Sequence, residues 1–171
     1  GQLPVWPLGS DETFCMIGSH SIPVIVDAYA KGIRDFDAKE AFAAMKATVN
    51  RDRFGLGSYR KNGLVAGEEP ENVSKTLEYA YDDWCVAQMA KMLGEQKDYE
   101  TYIQRAQYWK NVYNSQTGFM QAHVNGAWKT PFDPNEVDQK IYVEGDVEHG
   151  FADADQRGGG SRGQSTQHSL L

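Results

Sequence analysis

Between Ser74 and Leu93 the chain places Leu77, Ala80, Tyr81, Trp84, Ala87 and Ala90 at helical spacing, and Gly94 follows as the stop. Val86, Met89 and Leu93 widen the apolar surface beyond a single stripe, as expected of an inner helix covered on several sides. A helix of that kind needs other elements packed around it. Asp82 and Asp83 interrupt it, with side chains about 100° apart on a helix, so an enclosed helix cannot present both to water. Two readings follow. Either Asp82 is exposed while Asp83 pairs with an arginine or a loop N–H, or one of them contacts a ligand.

The remaining periodic segments are also helical. Ser21 is expected to cap a helix over about 22–31, with Pro23 in its first turn and Gly32 after its end. Asp37 followed by Glu40 is close to a capping box, and Ala41, Phe42, Ala44, Met45 and Val49 continue it as a helix over about 38–49. A connection of about five residues makes these two an antiparallel αα-hairpin. Asp98 is expected to cap an outer helix over about 99–113, with Tyr99, Tyr102, Ile103, Ala106 and Val112 facing inward. The fold class is therefore all-α: two αα-hairpins joined by long loops at 51–72 and 114–145. Loops of that length inside one domain usually have a function. Residues 146–171 change character, with Arg157-Gly158-Gly159-Gly160-Ser161-Arg162-Gly163 and little to bury, so a dispensable, disordered tail is expected after a domain at 1–145.

Composition removes several classes. Seventeen Lys and Arg against 24 Asp and Glu leave a charge of −7, without the basic footprint that nucleic acid requires. No apolar run approaches the roughly 20 residues of a membrane span. The chain opens at Gly1 with no Met, basic region or apolar core of a signal peptide, so a targeting segment is expected to be absent or removed. Cys15 and Cys85 are too few for a disulfide scaffold and are expected to be buried free thiols.

Three clusters could carry chemistry. Trp6 to Ser21 brings Asp11, Glu12, Cys15, Met16, Gly18 and His20 to a helix N-terminus, where a polar segment can line a pocket; the alternative is that His20 caps the helix and Trp6 covers its end. Tyr79 to Cys85 holds the two aspartates. Pro131 to Val137 reads as a turn rather than a cation loop, because EF-hand spacing is missing, and it leads to Tyr142-Val143-Glu144-Gly145.

The strings Cys15-Met16-Ile17-Gly18-Ser19-His20, Pro23-Val24-Ile25-Val26-Asp27-Ala28-Tyr29 and above all Val73-Ser74-Lys75-Thr76-Leu77-Glu78-Tyr79-Ala80-Tyr81-Asp82-Asp83-Trp84-Cys85 resemble glycoside hydrolase family 92, the calcium-dependent exo-acting α-mannosidases. Phe132-Asp133-Pro134 and Tyr142-Val143-Glu144-Gly145 follow in the family's order, and the resemblance covers about residues 3–145. It implies part of an α/α toroid of six helical hairpins, with Glu144 matching the catalytic acid of an inverting mechanism. After Gly145 the sequence Asp146-Val147-Glu148-His149-Gly150 departs from the family pattern. The general-base carboxylates, most calcium ligands and an upstream β-sandwich domain have no counterpart here.

The resemblance therefore implies a fragment of an enzyme that removes terminal α-linked mannose from glycans, periplasmic or secreted, with little turnover as an isolated chain and a tendency to associate. Calcium belongs to the complete family site. Placement, rather than the resemblance, singles out Trp6 to stack on a sugar face and His20, Asp82 and Asp83 to bond hydroxyls. Glu144 is expected in an accessible loop with ordinary acidity. Two other classes were weighed. Leu93-Gly94, Tyr99 and Ala106 echo a tetratricopeptide binding scaffold, but Val65, one 34-residue period before Tyr99, lies in a loop. A different six-hairpin glycosidase or lyase would carry similar aromatics and acids on its inner helices.

Overall fold

A computed structural model describes residues 1–138 and 140–143, and its helices follow the sequence pattern closely. Helix α1 spans Ser21–Ala30, and α2 spans Ala38–Val49 as expected. The Asp37 carboxylate accepts from the N–H groups of Lys39 and Glu40, both at 2.9 Å, which satisfies two otherwise orphaned donors of α2. The cap expected at Ser21 does not form. His20 occupies the cap position of α1 without a side-chain bond, because the Ser21 hydroxyl donates to the Pro4 carbonyl at 2.5 Å and ties the N-terminal segment to the helix.

Within the stretch read as a loop, a short helix α3 spans Leu56–Asn62. Gly55 and Gly63 flank it, both in the left-handed conformation. A side chain at Gly55 would put its Cβ 2.6 Å from Val65 Cγ1, so the glycine serves both the turn and the close approach. Leu56 and Tyr59 then pack on Val65 and Tyr79.

Helix α4 spans Asn72–Leu93 and is enclosed as its sequence demands. Helices α1 and α2 lay Ile22, Val26, Phe42, Met45 and Val49 against Cys85, Val86, Met89 and Ala90 of α4. Near its start, Val73 and Leu77 join a second cluster with Val112, Met120, Ile141 and Tyr142. Trp84 departs from the expected inward set: it is 45% exposed and stacks on Tyr81 with the rings 10° from parallel.

The expected outer helix is divided. Helix α5 spans Gln96–Arg105, and a 3-10 segment continues over Ala106–Val112. The Arg105 carbonyl at the junction accepts the Tyr59 hydroxyl at 3.2 Å, which draws it away from a regular helical ladder. Asp98 does not cap α5. It lies in the first turn, where Lys46 of α2 takes its carboxylate at 2.7 Å.

The described residues are helix-rich as expected, but among them six two-residue strands form three antiparallel hairpins in the loops. They are β1 (Pro7–Leu8) with β2 (Asp11–Glu12), β3 (Tyr113–Asn114) with β4 (Phe119–Met120), and β5 (His123–Val124) with β6 (Ala127–Trp128). Asn125 and Gly126, both at positive φ, make the tight turn between β5 and β6, the geometry that an Asn-Gly pair favours. Among the described residues, no helix is long and apolar enough to cross a membrane. Cys85 is buried as expected, whereas Cys15 is exposed on the N-terminal loop. Glu144 and the tail 146–171 lie outside the described residues.

Candidate active site

The site is assembled by the loop that precedes α1. Glu12 organises this loop: its carboxylate accepts from the N–H groups of Val5 at 2.5 Å and of Trp6 and Phe14 at 2.9 Å. Although desolvation works the other way, the backbone bonds from Phe14, Trp6 and Val5 hold its pKa below the ordinary carboxylate value. The clasp brings Trp6 and Phe14 to neighbouring backbone positions. Trp6 is 42% exposed and meets the His20 ring edge-on, with centroids 6.4 Å apart. His20 Nε2 is buried and has no hydrogen-bond partner among the described residues.

Gly18 and Ser19 press this loop onto α4. A Cβ at Gly18 would lie 3.2 Å from Glu78 Oε2, so only a glycine lets the backbone come so close without displacing that side chain. One residue on, the Ser19 N–H donates to Asp82 Oδ2 at 2.9 Å. Asp82 is 2% exposed, so the reading that put it on the solvent side is wrong: it takes the loop N–H instead. Trp6, His20 and Asp82 thus lie along one continuous chain of contacts.

Asp83 faces another way, toward α3 and α5. It is fully buried, and its Oδ2 accepts from Arg105 Nε and from the Tyr59 hydroxyl, both at 2.9 Å. Arg105 continues to Asn50 Oδ1 at 2.8 Å and the Val49 carbonyl at 3.3 Å, which links the end of α2 to α4 and α5. Burial pushes the Asp83 carboxyl up to about 7, against the pull of Arg105 and Tyr59. The pairing with an arginine is the one that the sequence left open.

The sequence reading missed the fourth side of the site. Arg51 follows α2, 8% exposed, and its guanidinium lies over the Phe54 ring at 5.6 Å. Arg53 sits over both Phe14 and Phe54, at 4.5 and 4.8 Å. The two phenylalanines pack at 5.5 Å, each at positive φ, a conformation that costs a non-glycine residue about 1–3 kcal/mol. Burial pushes the Arg51 guanidinium down from its usual value, with Arg53 adding to the shift and Tyr79, Asp82 and Glu12 opposing it. Arg51-Asp52-Arg53-Phe54 just past a helix end was the available signal.

The third cluster folds as the expected turn. Asp133 accepts from the Asn135 N–H at 2.9 Å, and Lys129 holds Asp138 at 2.6 Å. That bond is the main reason the Asp138 carboxyl lies below its ordinary value. Phe132, Asp138 and Tyr142 line a shallow recess, and Tyr142 donates its hydroxyl to the Met120 carbonyl at 2.7 Å. Among the described residues no group of three His, Cys, Asp or Glu side chains is placed to hold a metal ion.

The inner helix α4 thus has a buried acid, Asp82, met by a loop bearing Trp6 and His20. Residues 1–154 match the glycosyl hydrolase family 92 catalytic domain, and the chain belongs to that family. An uncharacterized secreted glycosidase of Arthroderma benhamiae is 30% identical over 145 residues, covering 74% of this chain and 19% of the relative. The family GH92 inverting mannosidase of Bacteroides thetaiotaomicron superposes with a TM-score of 0.81 at 36% identity, over 86% of this chain and 21% of that one. A family GH92 α-mannosidase of the same organism, in complex with mannoimidazole, gives 0.75 at 42% identity, over 78% of this chain and 18% of that one. The chain therefore spans about a fifth of the length of these relatives.

Proposed function

We propose that this chain is the part of an inverting, exo-acting α-mannosidase that carries the general acid and one wall of the sugar site, within a six-hairpin α/α toroid. The match of residues 1–154 to the catalytic domain carries this reading. The likeness to a mannosidase bound to mannoimidazole supports mannose-containing glycans as the substrate class. The fungal relative described as secreted supports a periplasmic or secreted setting.

On this reading Glu144 protonates the departing glycosidic oxygen. Just before it, the chain is anchored: Tyr142 is held by Met120, and the Val143 N–H donates to the Ser74 hydroxyl at 3.0 Å at the start of α4. Inversion needs a second carboxylate roughly 6.5–9.5 Å away to activate water on the opposite face of the sugar. That base lies in the remainder of the enzyme, and the chain alone is inactive. Trp6 stacks on an apolar sugar face, and His20 and Asp82 bond hydroxyls. Asp83, fully buried, supports the site by fixing Arg105 and Tyr59.

Calcium is the family's metal, but the acids of the described residues do not fit it, since no three of them converge. Most of its ligands would come from the rest of the enzyme. Activity on disaccharides tests the reading. The complete catalytic domain is expected to release mannose from α-mannobiose and no glucose from maltose; release of glucose alone would replace it with another six-hairpin hydrolase.

A further inference from the structure

Arg51 is a buried charged side chain to which the proposed chemistry gives no task. It is more than nine-tenths buried, its Nε is shielded from water, and no hydrogen bond from its guanidinium is made among the described residues. Leaving a buried charged donor unmet is costly, so such a group marks a place where a partner arrives. Its backbone is fixed rather than loose: Arg60 Nη1 donates to the Arg51 carbonyl at 2.5 Å, and the Arg51 N–H reaches Thr48 O at 3.4 Å.

The surroundings define the partner's chemistry. Phe54 lies beside the guanidinium, and Phe14 joins it from the loop that also presents Trp6. Flat aromatic faces suit the C–H face of a pyranose. The Arg51 charge is acted on by the Arg53 guanidinium over the same two rings and by the carboxylates of Asp82 and Glu12, so the wall carries charges of both signs rather than the all-basic lining that suits a phosphate. A neutral polyol meets both demands, because each hydroxyl accepts from a guanidinium while donating to an acid.

We propose that Arg51 is a sugar-binding residue whose terminal guanidinium amino groups donate to hydroxyl oxygens of a pyranoside seated beside Phe14 and Phe54, with Nε–H enclosed behind them. The inference rests on the glycosidase reading above and adds to it a binding residue and a neutral-sugar preference at that wall.

Calorimetry and NMR on the complete catalytic domain test it, with mannoimidazole, methyl α-mannoside, methyl α-glucoside and inorganic phosphate as probes. Arg51→Lys and Arg51→Met are expected to weaken mannoimidazole by about 10–100-fold, the loss of a hydrogen bond from a charged donor, without lowering the melting temperature of the free protein. Should either variant fail to fold, the wild-type Arg51 Nε–H resonance is read instead, and it is expected to shift on saturation with methyl α-mannoside. Unchanged affinity in both folded variants, or an Nε–H signal that ignores bound mannoside, would overturn the assignment. A shift with phosphate instead would overturn the neutral-sugar preference. Binding of the glucoside alone, lost in Arg51→Met, would leave Arg51 in place and overturn the mannosidase reading.

Discussion

Asp83 Oδ2 and Arg105 Nε, 22 residues apart in sequence, meet at 2.9 Å in a site where the carboxylate has no exposure to water. Because Tyr59 donates to the same oxygen and Arg105 reaches Asn50 and Val49, this pair joins four helices.

The pair makes stability depend on pH in a definite direction. Burial raises the folded-state value of Asp83 to about 7 from an ordinary 3.8, so between these values the folded protein holds a proton that the unfolded chain has released. Its contribution is complete below about pH 4 and is lost as pH rises through 7. Chemical denaturation across pH 4–8 is expected to show this fall in the wild type and its absence in Asp83→Asn. Arg105→Leu strands the carboxylate and should cost about 3–5 kcal/mol at pH 8, and less at pH 5 where Asp83 is neutral.

Asp37 and Asp98 look alike in sequence, each acidic and just ahead of an apolar helical stripe, yet only Asp37 caps its helix. Asp37→Ala is expected to cost about 0.5–2 kcal/mol by thermal or urea unfolding. Asp98→Ala removes only a partly exposed pair with Lys46 and should cost under about 1 kcal/mol. Equal losses would mean that the cap bonds of Asp37 contribute nothing beyond surface charge.

These two aspartates also show what the sequence can convey. Helix α2 was legible to the residue because periodicity and a cap are local signals. The start of α5 was not, since a distant lysine claims Asp98. The β5–β6 hairpin lies in a stretch read as a loop, because two-residue strands bury too little to stand out in a hydrophobic pattern. Asp82 and Asp83 were recognisable as a pair needing partners; which loop N–H and which arginine they meet depends on packing between segments 22 to 63 residues apart. Arg51 left only a weak local signal, a run of charged and aromatic residues just past a helix end, because its burial depends on packing between distant segments.

Glu144→Gln in the complete enzyme should slow mannosides with poor leaving groups by about 10²–10⁴-fold, the usual contribution of general acid catalysis. Activated aryl mannosides need little protonation and should slow much less. Steady-state kinetics on a mannobiose and on an aryl mannoside separate the two. An equal effect on both, or none, would move the search for the acid to Asp82 and Asp83.

The most direct test of the α-mannosidase account is the anomer first released. Proton NMR of the complete catalytic domain acting on an α-mannobiose resolves the newly formed mannose before mutarotation mixes its forms. Inversion predicts that β-mannose appears first and the α-anomer grows in later. If α-mannose came first, or no mannose came at all, the inverting mechanism assigned to Glu144 and its partner carboxylate would be contradicted.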